Sequence, residues 1–140
     1  QGKEVRVVYL DISKAFDCVW HRGLLKKLES LGICGSLLHW FESYLQDRMQ
    51  RVVLEGQSSE WKKLYWGVPQ GSVLGPLLFL IYVNDITDDL ESKPFVYADD
   101  TTLFEVIDDP VESAENLNND LAKISEWSDK WLVTMKPLKN

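Results

Sequence analysis

The sequence predicts an α+β fold in which an antiparallel sheet is backed by helices. Two short runs of β-branched and aromatic residues, 4–10 and 95–104, are typical of strands, and a long amphipathic pattern over 109–130 is typical of a helix. With 45% hydrophobic residues, a chain of 140 residues can bury one core of about domain size. No repeat or low-complexity segment interrupts these patterns, so we expect one α+β unit.

The first third of the chain predicts one strand and two helices. Residues 4–10 form a strand that delivers Asp11 at its end. Apolar residues recur at three- and four-residue steps over 24–31, and Gly32 follows at the position of a helix C-terminal cap. A second helix over 36–46 is expected to bury Leu37, Leu38, Phe41 and Leu45.

The middle of the chain predicts a hairpin, a tight loop and a buried helix. Residues 51–54 and 61–65 are expected to pair as the two strands of one hairpin. The run 67–72 holds too many Gly and Pro residues for regular structure and forms a tight loop. A helix follows over 76–83 with Pro76 at its first position. Because that helix is apolar all round, we expect it to be buried on every side.

The last third predicts a hairpin whose tip is acidic and then a long helix. The strands flanking the tip lie within 95–104, and Asp99 and Asp100 occupy the tip. Asp109 heads a capping box, and the helix that follows runs to about residue 130. Its apolar face consists of Leu117, Leu121, Ile124 and Trp127 or Trp131. Residues 134–140 are expected to begin another strand.

Composition restricts the function. A net charge of -7 argues against a chain that binds nucleic acid unaided, since phosphate neutralisation needs clustered Lys and Arg. Cys18 and Cys34 have neither metal-ligand nor disulfide spacing, which fits a reducing compartment. No signal peptide or membrane span is visible, so we expect an intracellular, non-secreted protein with no membrane partner. The absence of an initial Met predicts a piece of something longer.

Three carboxylates predict a metal site. Asp11 ends a strand and Asp99 and Asp100 form a hairpin tip, so an antiparallel sheet can make them neighbours. Clustered carboxylates repel one another unless cations lie between them or some stay protonated. Magnesium suits such a site, and two ions about 3.5–4 Å apart can clamp the oxygens of a phosphoryl transfer. The alternative is that the Asp pair is only a solvated turn.

Four segments carry a family resemblance. Residues 10–17, Leu-Asp-Ile-Ser-Lys-Ala-Phe-Asp, resemble the first palm motif of reverse transcriptases from non-long-terminal-repeat, LINE-like retrotransposons. Residues 67–76, Gly-Val-Pro-Gln-Gly-Ser-Val-Leu-Gly-Pro, resemble the second, and Tyr-Ala-Asp-Asp at 97–100 resembles the family's signature. A weaker fourth match covers 131–139. The resemblance implies that residues 1–140 are a reverse transcriptase domain fragment, a palm with part of the fingers. It also implies that the upstream fingers, primer grip and thumb lie outside this incomplete domain.

The resemblance assigns roles to the carboxylates and the turn after them. It implies that Asp11 and Asp99 hold both magnesium ions, for which Mn²⁺ could substitute, and that Asp100 supports the site. The backbone N–H groups of Lys14 and Ala15 would face the triphosphate.

Five further residues receive roles from the same resemblance. Phe16 would pack under the sugar and exclude a 2′-hydroxyl. Gln70 would lie along the incoming nucleotide. Gly67 and Gly71 would let the backbone approach that nucleotide closely. Lys139 would protonate the pyrophosphate leaving group. Lys136 departs from the family pattern, in which an Asn is usual.

The implied activity is RNA-directed DNA polymerisation, a two-metal nucleotidyl transfer from a deoxynucleoside triphosphate to a primer 3′-hydroxyl. The implied partners are an RNA template, a DNA primer and the fingers and thumb segments of the parent polyprotein. The implied location is the nucleus, at the insertion site. The alternatives are a catalytically inactive palm relic and, less directly, a metal-dependent nuclease, against which Phe16 and Gln70 argue because a nuclease selects no sugar.

Several candidate residues also have simpler interpretations. Phe16 could be a core residue and Gln70 a turn residue. His21 and His39 are expected to cover the surface or make local hydrogen bonds, and the Trp side chains to pack in the core or at its rim. Four acidic residues near the motifs have no strand-tip placement and are expected to have no catalytic role: Asp17, Asp85, Asp88 and Asp89.

Overall fold

The chain forms two units, each with its own buried residues. The computed structural model describes residues 4–97 and 99–136. Within these, residues 4–15 and 83–136 form the sheet unit, and residues 16–82 form the helical unit. Local patterns had indicated a single α+β unit. The division was not readable from them because the chain leaves the sheet unit after residue 15 and returns only at residue 83.

The sheet unit is built on three antiparallel strands. These are β1 (Val5–Asp11), β6 (Lys93–Tyr97) and β7 (Asp100–Val106), in the order β1-β7-β6. The register places Asp11 opposite Asp100 on one side of β7, and Tyr97 opposite Asp100 on the other. The predicted strand ending at Asp11 and the predicted hairpin are therefore both confirmed, but Asp100 is the first residue of β7 and only Asp99 lies in the turn.

One long helix covers the sheet. Helix α4 (Pro110–Trp131) begins where the Asp109 carboxylate accepts hydrogen bonds from the N–H groups of Val111, at 2.7 Å, and Glu112, at 3.1 Å. This confirms the predicted N-terminal cap. The apolar face of α4 meets the sheet in a buried cluster formed by Ile86, Leu103, Leu117 and Ile124.

The chain beyond α4 continues along the sheet. Met135 forms an antiparallel bridge with Ile12, just past the end of β1. The N–H of Ser13 donates to the carbonyl of Thr134, and the N–H of Lys136 donates to the carbonyl of Asp11, both at 2.8 Å. The predicted strand after α4 is thus present in the described part as a short pairing.

Three helices dominate the helical unit. They are α1 (His21–Ser30), α2 (Gly35–Leu45) and α3 (Leu74–Val83). Gly32 adopts a φ of +89° just after α1, as expected for a residue that ends a helix. In α2 only Leu45 of the predicted core residues is fully buried; Leu38 and Phe41 are half-buried, and Leu37 is exposed.

Helix α3 corrects two expectations. It begins at Leu74, two residues earlier than predicted, and the Ser72 hydroxyl accepts a hydrogen bond from the Gly75 N–H at 2.9 Å. It is also not buried on every side, because Leu77 and Leu80 are about half exposed. An apolar sequence shows that burial would be favourable, but it does not say how many neighbouring elements are available to cover the helix.

The predicted hairpin is split into two short ladders. Strand β2 (Met49–Gln50) pairs with β5 (Lys62–Lys63), and β3 (Val53–Leu54) pairs with β4 (Gln57–Ser58). Glu55 and Gly56 both adopt positive φ, as a tight two-residue hairpin turn requires. That turn pairs residue 54 with residue 57, so the expected pairing of 51–54 with 61–65 is wrong.

Candidate active site

Asp11 and Asp100 are direct partners across the sheet. Asp11 is the last residue of β1 and Asp100 the first of β7, and the register sets them opposite one another. Side chains of directly opposite residues share a face, with Cβ atoms about 4.5–5.5 Å apart. Asp99 precedes Asp100 in the turn. Two carboxylates that lie 89 positions apart in the chain thus become neighbours.

These carboxylates lie on the open face of the sheet. Val8, Leu10 and Leu103 pack into the cluster under α4, and side chains alternate between faces along a strand. Asp11 and Asp100 therefore lie on the opposite face, where the Asp11 side chain is 42% exposed. The same face carries exposed aromatic side chains, Tyr9, Phe95 and Tyr97.

Lys136 holds the Asp11 carboxylate. Its Nζ donates to Asp11 Oδ2 at 2.6 Å, and neither side chain is buried. The hydrogen bond to Asp11 raises the pKa of Lys136, and the negative charges of Asp11, Asp99 and Asp100 raise it further. The three predicted site carboxylates therefore all act on one ammonium group. In the sequence, Lys136 differs from the family pattern but shows no sign of this contact.

The donor set fits magnesium in its chemistry. Within residues 4–97 and 99–136, no three Asp, Glu, His or Cys side chains are grouped closely enough to hold one metal ion. Asp11, Asp99 and Asp100 nevertheless offer only oxygen ligands, and magnesium takes a few carboxylates and completes its shell with water and phosphate oxygens. A cation, the Lys136 ammonium, already lies against Asp11.

The turn after β1 has the predicted tight geometry. Lys14 is exposed and adopts a φ of +51°, in the left-handed region. Ala15 is buried and begins a short 3₁₀ helix, Ala15–Asp17. Successive residues that alternate between right- and left-handed conformations can present their N–H groups toward an anion. The predicted triphosphate role of Lys14 and Ala15 stays a prediction.

In the helical unit, Phe16, Gln70 and Gly71 line one cavity. Its volume is about 220 Å³, and Pro69 and Pro76 complete the lining. The Phe16 ring is only half-buried and packs against Phe79, with ring centroids 5.2 Å apart. The structure thus brings three of the residues predicted to bind nucleotide to the same cavity.

Backbone pairing joins the two motif segments that form this cavity. The Gly67 N–H donates to the Val19 carbonyl at 2.8 Å, and the Val68 N–H donates to the Phe16 carbonyl at 2.9 Å. Gly67 has a φ of +88°, and a Cβ at this position would lie 3.3 Å from the Asp17 Cα. Glycine is therefore required both by conformation and by the close backbone approach.

Two side chains to which the resemblance assigns no role support this loop. Asp17, expected to have no catalytic role, accepts a hydrogen bond from Gln70 Nε2 at 3.2 Å. His21 Nε2 donates to the Gly67 carbonyl at 2.7 Å, so its hydrogen bond joins residues 46 positions apart and is not the local one expected. Burial lowers the pKa of His21, and the nearby Arg48 charge acts the same way, while the Gly67 bond opposes them. The neutral imidazole is therefore favoured.

Two expectations concern the remaining parts of the chain. Lys139, the predicted proton donor, lies outside the described residues. Across the described ranges, no helix is long and apolar enough to cross a membrane.

Comparison with known proteins gives a consistent family signal. Residues 1–140 match the family described as "Reverse transcriptase (RNA-dependent DNA polymerase)". Relatives include the RNA-directed DNA polymerase from mobile element jockey of Drosophila funebris, 37% identical over 91% of this chain, and that of Drosophila melanogaster, 33% identical over 99%. The chain spans about 15% of the first relative's length and 16% of the second's.

A solved structure shares the fold. Apo telomerase from Candida tropicalis, truncated from its C-terminal domain, matches 97% of this chain with a TM-score of 0.65 and 12% identity. The matched part is 31% of that protein's chain. At this identity the likeness concerns the fold alone, and it agrees with the predicted α+β palm architecture.

Proposed function

This chain belongs to the reverse transcriptase family, and from that premise we propose that it carries the palm, with part of the fingers, of an RNA-directed DNA polymerase from a LINE-like mobile element. The motif resemblance and the α+β fold class are both confirmed by the comparisons. The proposal concerns the reaction and the residues that perform it.

One observation carries the proposal. Asp11 and Asp100 are register partners at the edge of an open sheet face, next to the turn that holds Asp99. Carboxylates brought together where a large substrate can approach are what a metal-assisted phosphoryl transfer requires. The exposed Tyr9, Phe95 and Tyr97 on the same face offer stacking surfaces to unpaired bases of a template strand.

The metal assignment follows the donor chemistry. Asp11 and Asp99 would hold two Mg²⁺ ions, with Asp100 as the supporting carboxylate and Mn²⁺ as a substitute. Such ions, when bound, supply charge stabilisation to the oxygens of the transferred phosphoryl group. The protein's own contribution is to hold these carboxylates at the end of paired strands, so that little reorganisation is needed during reaction.

The remaining residues would bind and select the nucleotide. The primer 3′-oxygen attacks the α-phosphorus of a deoxynucleoside triphosphate, and the bond to the leaving pyrophosphate breaks. Backbone N–H groups of Lys14 and Ala15 would face the triphosphate. The ring of Phe16 would exclude a 2′-hydroxyl, and Gln70 and Gly71 would lie along the base. Lys139 is retained as the proposed proton donor to pyrophosphate. The implied location is the nucleus, at the insertion site.

The test is a primer-extension assay with an RNA template, a DNA primer, deoxynucleoside triphosphates and Mg²⁺. The enzyme is the 140-residue chain, tested also within its parent open reading frame. Asp99→Asn keeps the shape of the side chain but removes its charge, so we expect extension to fall to background. Asp129→Asn, an exposed position on α4, makes the same change away from the tip and should extend primers normally.

Two outcomes would replace the proposal. Absence of extension by the parent protein would indicate an inactive palm relic. Cleavage of nucleic acid in the absence of nucleotides, abolished by Asp99→Asn, would indicate a metal-dependent nuclease built on the same carboxylates. Normal primer extension by the Asp99→Asn variant would show that the predicted metal ligands are not needed for the reaction.

A further inference from the structure

We propose that Lys136 is a built-in counter-ion for the acidic tip: its ammonium group occupies Asp11 when no metal is bound and thereby sets the affinity for divalent cations. The inference rests on the proposed function, since it takes Asp11, Asp99 and Asp100 as the metal-binding carboxylates. It adds a residue that the motif resemblance did not assign to the site.

The backbone fixes Lys136 beside Asp11. The Lys136 N–H donates to the Asp11 carbonyl, and the Ser13 N–H donates to the Thr134 carbonyl, both at 2.8 Å. The bridge between Ile12 and Met135 lies between these two hydrogen bonds. These backbone contacts hold the segment in a single register. They therefore place the Lys136 side chain where it makes its 2.6 Å contact with Asp11.

The charges around Lys136 explain why a cation is held there. Asp11 and Asp100 face each other across the sheet, and Asp99 adjoins them, so up to three negative charges gather at one end of the strands. Positive charge nearby offsets the mutual repulsion of such a group. The Lys136 ammonium supplies that charge through its 2.6 Å contact with Asp11 Oδ2.

A metal ion and Lys136 would compete for the same carboxylate. A divalent ion bound at Asp11 would share the carboxylate whose Oδ2 atom the Lys136 ammonium now contacts, and two positive charges so close together repel one another. The Lys136 side chain is 52% exposed, so its flexible stem can turn into solvent when metal enters. The ammonium therefore stabilises the metal-free carboxylates and lowers their affinity for divalent cations.

The experiment measures Mn²⁺ binding to the 140-residue chain by the electron paramagnetic resonance signal of free Mn²⁺. Lys136→Met removes the charge but keeps an unbranched side chain, and we expect it to bind Mn²⁺ about three- to tenfold more tightly than wild type. Lys136→Arg keeps the charge and should bind like wild type. Lys130→Met, at an exposed position near the end of α4, is the matched control for net charge.

A second readout follows thermal unfolding without any substrate. In the metal-free state, Lys136→Met should unfold at a lower temperature than wild type, and saturating Mn²⁺ should remove that difference. Equal Mn²⁺ affinity in wild type and Lys136→Met would overturn the inference while leaving the metal site intact. Mn²⁺ binding by none of the variants, or binding unaffected by Asp99→Asn, would overturn the proposed metal site as well.

Discussion

At the scale of single residues, Asp120 shows how a buried charge is kept in this protein. It lies on α4 with no exposed surface, and its carboxylate accepts hydrogen bonds from the N–H groups of Glu91, at 2.9 Å, and Ser92, at 2.8 Å. Burial acts to raise the pKa of Asp120, but the hydrogen bonds from Ser92 and Glu91 and the charge of Lys123 outweigh it and lower the pKa. The ionised form thus anchors the turn that leads into β6.

Replacing Asp120 should destabilise the sheet unit. Asp120→Asn puts an amide donor against backbone donors, so one of the two N–H groups loses its partner at a cost of about 2 kcal/mol. Urea denaturation followed by tryptophan fluorescence would measure the change. Asp129→Asn, exposed on the same helix, should change stability little, and equal effects at the two positions would contradict the anchoring role.

The same carboxylate predicts a direction of pH dependence. Because the folded-state pKa of Asp120 lies below its usual value of 3.8, the unfolded chain takes up the proton first on acidification. The stabilisation is therefore fully present above pH 3.8 and is lost as the pH falls through the folded-state value. Asp120→Asn should remove this part of the acid sensitivity, and an unchanged acid dependence in the variant would assign it to other groups.

At the scale of elements, Gly75 ties helix α3 to the loop before it. It is the second residue of α3 and is buried, and a Cβ there would overlap the carbonyl oxygen of Pro69. The Ser72 hydroxyl donates to the Pro69 carbonyl at 2.7 Å and accepts from the Gly75 N–H. The Pro69 carbonyl thus packs against the start of α3 at a distance that only glycine at position 75 permits.

Gly75→Ala should therefore destabilise the fold, although the same change inside a helix ordinarily stabilises it by about 0.5–1 kcal/mol. The clash involves backbone on both sides, so we expect a net loss of roughly 2 kcal/mol. Chemical denaturation provides the measurement. Asn118→Ala, exposed on α4, should show the ordinary helix-stabilising sign; a stabilising Gly75→Ala would mean that the loop moves away at little cost.

Elements also show where local patterns were insufficient. The Asp109 cap and the apolar face of α4 were predicted from short-range spacing, and both are present because a cap and a helix face depend on residues within a few positions. The ladders between residues 49 and 63 were misassigned in register, since one tight turn at 55–56 competes with a longer connection of similar propensity.

At the scale of the whole molecule, the two units differ in how their backbones are protected. In the sheet unit, β7 is flanked by strands on both sides and Leu103 is fully buried. In the helical unit, the ladders of β2 to β5 are two residues long, and Val53 and Leu54 are well exposed. Local opening costs least where few apolar contacts are broken.

Native-state hydrogen exchange should reproduce this difference. Amides of residues 101–105 are expected to exchange at least 100-fold more slowly than amides of 53–58, which corresponds to about 2.7 kcal/mol in opening free energy. Mass spectrometry of peptides after pulsed labelling would measure both segments in the same sample, so that each serves as the other's control. Equal protection would show that the short ladders are stabilised by contacts beyond their own residues.

The sequence by itself determined the local elements and the family: strand ends, the acidic hairpin, helix caps and four motifs follow from neighbouring residue types and their spacing. Only the tertiary structure decided that Asp11 faces Asp100, that Lys136 contacts Asp11, that Asp17 meets Gln70, and that α3 is exposed on one side. The physical reason is the sequence separation over which each kind of interaction acts. Propensities and caps act over a few residues, whereas these contacts depend on strand register and packing between segments up to 125 positions apart.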